Sequence, residues 1–143
     1  MKEFSGFLFD TNHISVWQRG EGAQYERLCT HLEKYNGDQI YVCIVSFHEL
    51  VIGWNAFSAK KRNSDSLVRT YFECEKILRD FSFMQMLSFD RKAAEVFDDL
   101  NHQSLRVGSM DLRIASIAIA NQMTLITQNS VDFERVPGLS IQD

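Results

Sequence analysis

Proline is almost absent from this sequence, with one residue in 143, and no segment has the composition of a linker. With 45% hydrophobic and 24% charged residues, the chain does not have the composition of a disordered or repetitive protein. We therefore expect a single domain over residues 1–143. A domain of this size buries about two thirds of the surface that its unfolded chain would expose.

Long hydrophobic runs are also missing. The longest apolar stretch, Ile114 to Ala120, is much shorter than the roughly 20 residues that a membrane-spanning helix needs. The N-terminus lacks a basic segment followed by an apolar one, which a secretion signal would have. These absences predict a cytoplasmic protein that does not enter a membrane.

Cysteine is too scarce and too widely spaced for a disulfide framework or a zinc site. We interpret the three cysteines as small core residues. The four histidines are scattered, so we interpret them as core or surface residues rather than metal ligands. These seven residues are Cys29, Cys43, Cys74, His13, His31, His48 and His102.

An excess of positive charge is absent as well. The net charge is −4 and the pI is near 5.5, which disfavours a protein that coats nucleic acid with a broad basic face. The clearest basic cluster, Lys60 to Arg62, is typical of an ordinary solvated surface.

Short apolar runs alternate with longer segments that have helical spacing. We predict strands at Phe4 to Phe9, Gln39 to Ile44, Met84 to Phe89 and Thr124 to Thr127, and an edge strand at Leu139 to Gln142. Between them, helices are expected near Tyr25 to Leu32, Val45 to Phe57, Leu67 to Phe81, Asp90 to Asn101 and Ser109 to Asn121. Strands separated by helices pair in parallel through right-handed crossovers. The pattern therefore predicts a three-layer α/β/α domain with a small, mostly parallel central sheet.

The segment FLFDTN places Asp10 directly after the first predicted strand. In open parallel sheets, ligands bind beyond the carboxyl ends of the strands. A central first strand would therefore deliver this carboxylate to a binding crevice. The alternative, that Asp10 or Asn12 only caps the helix that follows, explains this stretch equally well.

Two further acids extend apolar helix faces. Glu49 is expected on one face with Val45 and Ile52, and a glutamate that faces inward must find a cation or hydrogen-bond donors. Asp111 is expected at the amino end of a buried face. Taken alone, Asp111 is better explained as an acid that the helix dipole favours, with Ser109 as the helix cap.

A fourth acid follows the last central strand, in LITQNSVDFERVPGL. Asn129 comes just after the end of that strand, and Asp132 lies three residues later. Both side chains can therefore project toward the crevice that Asp10 would occupy. Asp132 is equally typical of an acid in the first turn of a helix.

If these acids converge, their charges need compensation. At about 4 Å and an effective dielectric constant of about 20, two carboxylates repel each other by roughly 4 kcal/mol. Oxygen ligands suit Mg²⁺, with Mn²⁺ as a substitute, and Mg²⁺ keeps several waters and reaches phosphate oxygens. The pattern favours phosphodiester cleavage or phosphoryl transfer, with Asp10, Glu49 and Asp111 as principal ligands. Asp132 would place the water or a second ion, and Asn129 would orient another ligand.

Together these motifs resemble the PIN domain, and in particular the VapC-type ribonuclease toxins of type II toxin–antitoxin systems. LFDTNHIS resembles the opening acid motif of the family, and IVSFHELVIGW resembles the helix with its second acid. The block VGSMDLRIASIAIANQMTLITQNSVDFERVPGL resembles the C-terminal signature of a third acid, an apolar helix, a T-x-N turn and D/E-F. This last block is the most specific of the three.

The resemblance places the metal-binding acids at Asp10, Glu49 and Asp111, with Asp132 at a more variable fourth place. It also implies Mg²⁺-dependent endoribonuclease activity on RNA, a homodimer and inhibition by a cognate antitoxin. The chain departs from many PIN domains at Asn129, where those domains carry an aspartate.

Three more residues are supporting candidates for the site. Thr11 and Asn12 can hydrogen-bond the ligand carboxylates or phosphate, and Arg113 can meet the RNA backbone near a helix start. Ordinary capping and surface charge explain these residues equally well.

Two alternatives to a ribonuclease follow from the same residues. An aspartyl phosphatase or phosphotransferase also carries an acid after its first strand, but Asn12 stands where its second aspartate is expected. The other alternative is a PIN fold that binds RNA or protein without cutting. Retention of all three principal acids argues against it, because a site without chemistry gains nothing from repelling charges.

Overall fold

Five parallel strands form the central sheet of the computed structural model, which describes residues 6–143. Their spatial order is β3-β2-β1-β4-β5, and all four neighbouring pairs are parallel. The strands are β1 (Gly6–Phe9), β2 (Ile40–Cys43), β3 (Gln85–Leu87), β4 (Met123–Ile126) and β5 (Ser140–Gln142). The strand order reverses at β1, so the boundary between β1 and β4 is the place where such sheets bind ligands.

All five predicted strands are present, each within two residues of its expected bounds where the structure describes it. Phe4 and Ser5, the first two positions of the predicted first strand, lie outside the described residues.

Seven α-helices connect the strands within residues 6–143. They are α1 (Thr11–Arg19), α2 (Ala23–Leu32), α3 (Ile44–Lys61), α4 (Ser64–Ser82), α5 (Arg91–Asn101), α6 (Ser109–Ala120) and α7 (Ser130–Phe133). A 3-10 turn at Gly37–Gln39 precedes β2. None of these helices combines the length and the apolar character needed to cross a bilayer.

Two hydrophobic clusters cover the two faces of the sheet. Neighbouring strand residues alternate between them, because successive side chains of a strand point to opposite faces. Leu8 and Leu125 belong to one cluster, and Phe9 and Ile126 belong to the other. The predicted three-layer α/β/α architecture is confirmed.

The helix predicted from the apolar spacing of Leu67, Tyr71, Cys74, Leu78 and Phe81 is present as α4, but of these residues α4 buries only Phe81. The other residues that α4 buries are Ser66, Thr70 and Ile77. Two of them are small and bond to backbone, since Thr70 Oγ1 donates to the Trp54 carbonyl of α3. The buried face of α4 therefore combines two small polar residues with the large apolar side chains of Ile77 and Phe81. Three of the predicted positions are solvent exposed: Leu67, Tyr71 and Leu78.

The prediction that the cysteines are core residues holds for Cys43 alone. Cys43 is fully buried, and burial raises the pKa of its thiol, so it stays protonated and unreactive at neutral pH. Cys29 and Cys74 are half-buried, and all three thiols are free.

Candidate functional site

Asp10 occupies both positions that the sequence left open, a strand end and a helix cap. Its N–H donates to the Ile126 carbonyl at 3.2 Å, which anchors it between the carboxyl ends of β1 and β4. Its Oδ1 accepts the backbone N–H of His13 at 2.9 Å, so the carboxylate also caps α1. Asp10 is only 5% exposed.

The rest of the Asp10 carboxylate is held by two side chains. Thr127 Oγ1 donates to Oδ2 at 2.7 Å, and His13 Nδ1 lies 2.8 Å from Oδ1. The Thr127 hydroxyl in turn accepts the N–H of Asn129 at 2.9 Å. These hydrogen bonds fix the orientation of the Asp10 carboxylate and partly compensate the burial of its negative charge.

Glu49 is positioned by the first residue of α1. The Thr11 hydroxyl donates to Glu49 Oε1 at 2.7 Å and lies 3.0 Å from the hydroxyl of Ser46. The predicted apolar face is right at Val45, which is buried, and wrong at Ile52, which is exposed. Phe47, Leu50 and Trp54 also pack on the core from α3. Glu49 is half-buried beside that face.

Asp111 lies in the first turn of α6, as expected. The predicted cap is wrong, since Gly108 is the N-cap and no side chain caps the helix. Burial raises the pKa of Asp111 above its ordinary value, and the negative charges of Glu49, Asp132 and Asp10 raise it further. The carboxylate of Asp111 is therefore close enough to the other three acids to be repelled by their charges.

Asn129 bridges the two acids on the far side of the site. Its Nδ2 donates to Asp132 Oδ2 at 3.1 Å and lies 3.4 Å from Asp111 Oδ2. Arg135 approaches the other oxygen of Asp132 at 3.3 Å. The Asp132 side chain is 40% exposed, so it borders the site from the solvent side.

These side chains surround a cleft of about 130 Å³. The residues that line it are Asp10, Thr11, Asn12, Glu49, Asp111, Asn129 and Phe133. Asp132 stands at its border. Arg113 does not line the cleft, and its guanidinium contacts Met110 Sδ at 3.4 Å. The structure therefore shows no contact between Arg113 and the cleft that would support its predicted role in binding the RNA backbone.

The donor set of the cleft is made of carboxylate, hydroxyl and amide groups, which suits a hard cation. Among residues 6–143, no three His, Cys, Asp or Glu side chains form a ready-made metal-binding group. Mg²⁺ does not require one, because it usually binds one or two carboxylates and keeps several waters. The cleft residues therefore fit a hydrated Mg²⁺ or Mn²⁺, with Asp10, Glu49 and Asp111 able to reach it directly or through water.

Three residues of this hydrogen-bond network were not predicted from the sequence. Thr127 belongs to the T-x-N turn of the family signature, so its position did carry a signal. Ser46 had no signal, because only the packing of α1 against α3 brings it to the Thr11 hydroxyl. His13 contacts Asp10 from three residues away at the start of α1.

Comparisons with known proteins give a consistent result. The model of the PIN domain family matches residues 7–139. Ribonuclease VapC of Rickettsia bellii is 29% identical over 140 residues, which cover 95% of this chain and 94% of that protein. A tRNA(fMet)-specific endonuclease VapC of Salmonella typhimurium is 27% identical and covers 78% of this chain and 81% of its own length.

Solved structures agree with the sequence matches. The crystal structure of VapBC2 from Rickettsia felis bound to a promoter DNA fragment superimposes with a TM-score of 0.66 at 25% identity. The match covers 95% of this chain and 96% of the solved chain. FitAcB from Neisseria gonorrhoeae shares the fold, with a TM-score of 0.70 at 20% identity and 96% coverage of both chains.

Proposed function

Because this chain belongs to the PIN domain family, we propose that it is a metal-dependent endoribonuclease, the toxin of a toxin–antitoxin pair. The similarity to proteins named ribonuclease VapC supports the activity. The similarity to a VapBC2 complex supports the pairing with an antitoxin.

One observation carries the proposal: Asp10, Glu49 and Asp111 come from three separate elements and line the same cleft. Repelling acids in one half-buried place cost folding free energy unless a cation or protons compensate them. The cleft also lies at the carboxyl ends of β1 and β4, where the fold leaves a binding crevice.

Mg²⁺, or Mn²⁺ in its place, is the proposed cofactor, held by these three acids; when bound it supplies positive charge at the phosphate and acidifies a water. The protein's own residues orient the acids. Thr127 and His13 fix the carboxylate of Asp10, and Thr11 fixes that of Glu49. Asn129 holds Asp111 and Asp132 on the same side.

Asp132 has a different part in the proposal. It is more exposed than Asp10 and is restrained by Asn129 and Arg135. A carboxylate at the solvent border of the cleft can accept a hydrogen bond from an entering water and so orient it toward the phosphodiester.

We also propose that the protein forms a homodimer through α4. The outer side of this helix exposes large apolar residues, which soluble monomers seldom group together: Leu67, Val68, Tyr71, Phe72 and Leu78. Asp65 and Arg79 are exposed near its two ends. Two antiparallel copies of α4 would therefore place opposite charges beside each other.

A cytoplasmic location is also part of the proposal, because it fits the proposed RNA substrate.

The phosphatase alternative is disfavoured by Asn12. This residue lines the cleft at the place where a phosphatase of this class needs its second aspartate. The other alternative, a PIN fold that binds RNA or protein without cutting, is distinguished from a ribonuclease by the cleavage assay below.

Cleavage of structured RNA tests the proposal. We expect Mg²⁺-dependent cleavage by the purified protein, loss of cleavage in excess EDTA, and loss of at least 100-fold in Asp10→Asn. Asp99→Asn, a change at an exposed acid of α5, is the matched control and should cleave normally. Cleavage by Asp10→Asn at the normal rate would overturn the metal mechanism. Absence of cleavage by the wild-type protein, with RNA binding intact, would favour the non-catalytic alternative.

A further inference from the structure

A second cavity lies beside the acidic cleft, between α1, α2 and the turn after β4. We name it the α1–α2 pocket. Its volume is about 200 Å³, and its apolar walls are Val16, Leu28 and Ile126. This volume is below the range of about 300–1,000 Å³ that is common for whole small-molecule ligands. The pocket therefore accommodates one flat group rather than a complete nucleotide or a peptide segment.

Asn12 joins the pocket to the acidic cleft, because its side chain lines both cavities. His13, whose ring is bonded to Asp10, lines the pocket as well. A polymer that is cut in the cleft thus has its neighbouring unit within reach of the pocket.

The polar groups of the pocket suit recognition of a base edge. Gln24, Gln128 and Asn12 contribute amides, which can donate and accept hydrogen bonds at the same time. His31 also lines the pocket, and its Nε2 is buried without a hydrogen-bond partner within the described part of the chain. An unsatisfied buried nitrogen is unfavourable, and a bound group that pairs with it once the His31 ring turns toward the pocket would remove that penalty.

The charges of the pocket argue against a phosphate. Arg27 and Asp143 line the pocket together, and the formal charges of their side chains cancel. A phosphate subsite would present cations or a helix N-terminus without a competing carboxylate. A neutral, planar, hydrogen-bonding group is the better match.

We infer that the α1–α2 pocket binds one unstacked RNA base next to the cleaved phosphodiester and selects that base by its edge. Sequence-specific RNA recognition generally works on splayed single-stranded bases that pair with side chains. This inference rests on the proposed ribonuclease function, and it assigns the choice of the cutting site to residues outside the acidic cleft.

The test compares His31→Phe with the wild-type protein. Phenylalanine keeps the ring that packs near Tyr35 and removes both ring nitrogens. Cleavage positions are mapped in a random RNA pool with Mg²⁺. We expect the wild type to prefer one base at a fixed distance from the cut, and this preference to fall by about fivefold or more in His31→Phe. His102→Phe, at the exposed histidine that follows α5 as its C-cap, is the matched control and should keep the preference.

A binding arm separates this inference from the proposed activity. Pentanucleotides of A, C, G and U are titrated in EDTA, where no cleavage occurs. Tighter binding of one of them by about fivefold or more, lost in His31→Phe, supports the pocket even if no cleavage is found. An unchanged preference in His31→Phe, or an equal loss for all bases, overturns it. Reduced antitoxin binding with base preference intact would instead assign the pocket to a protein partner and overturn it as well.

Discussion

Thr127 and Asp10 are 117 positions apart in the sequence, and the hydroxyl of the first donates to the carboxylate of the second at 2.7 Å. The same hydroxyl accepts the N–H of Asn129, whose side chain reaches Asp111 and Asp132. A continuous chain of hydrogen bonds therefore links the acid of β1 to the acids of α6 and α7. The adjacent pairing of β1 and β4 makes this chain possible.

Thr127→Val tests this link. Valine has a similar shape, but it leaves Asp10 Oδ2 without its donor in a buried place. We expect the free energy of unfolding to fall by about 1–3 kcal/mol and cleavage to slow by about 10–100-fold, because the acid loses its fixed direction. Urea unfolding and RNA cleavage rates measure the two effects. Thr30→Val, at an exposed threonine of α2, should change stability by less than about 0.5 kcal/mol.

Thr11 allows a comparison of two substitutions at one position. Thr11→Ser keeps the hydroxyl that donates to Glu49, whereas Thr11→Val removes it. We expect Thr11→Val to need about 10–100-fold more Mg²⁺ for half-maximal cleavage, and Thr11→Ser to stay close to wild type. Equal Mg²⁺ dependence in both variants would show that the bond to Glu49 does not support metal binding.

Asp111→Asn should stabilise the metal-free protein at neutral pH. Folding raises the pKa of Asp111 above its ordinary value of 3.8, so the folded state holds this proton more tightly than the unfolded state. The wild type therefore loses stability as the pH rises through the folded pKa, and the uncharged variant does not. The advantage of the variant should shrink as the pH falls toward 3.8.

Urea unfolding in EDTA at several pH values measures that difference. Asp99→Asn controls for a general effect of removing one negative charge. A variant that is less stable than wild type at pH 7, with the same m-value, would contradict the repulsion inferred for the four acids. The same variant should lose RNA cleavage.

The proposed dimer predicts a charge-dependent assembly. Tyr71→Asp should give monomers in light scattering, because it places a charge on the exposed apolar side of α4. Asp65→Arg alone should weaken the dimer, and Asp65→Arg with Arg79→Asp should restore it. Val131→Asp changes another exposed apolar residue, on α7, and should leave the dimer intact. A dimer that persists in Tyr71→Asp would place the interface elsewhere.

Local patterns predicted much of the fold. Apolar runs and helical spacing identified the five strands and the long helices, since backbone propensity and side-chain periodicity act over a few residues. Asp90, the first residue of the segment predicted as a helix, is the N-cap of α5 and accepts the N–H of Ala93 at 3.0 Å. The positions of Asp10 and Asp111 at element ends were also correct.

Burial of helix faces was predicted less well. Ser66 and Thr70 are buried while Leu67 and Tyr71 are exposed, and the Thr70 hydroxyl bonds to the Trp54 carbonyl of α3. A hydrophobicity pattern reports the preference of each side chain for a core. Such a pattern does not show whether another helix or strand packs over that side chain.

By itself, the sequence determined that the chain forms a parallel α/β sheet and that acids stand where its strands and helices begin or end. The family resemblance added that Asp10, Glu49 and Asp111 belong to one site. Thr11 and Asn129 were expected to hydrogen-bond ligand carboxylates, and only the tertiary structure decided that Thr11 contacts Glu49 and Asn129 contacts Asp111. The bond from Thr127 to Asp10 was seen in the tertiary structure alone. These contacts depend on the register between β1 and β4 and on how the helices pack against the sheet. Local sequence patterns do not specify the distances between such distant elements.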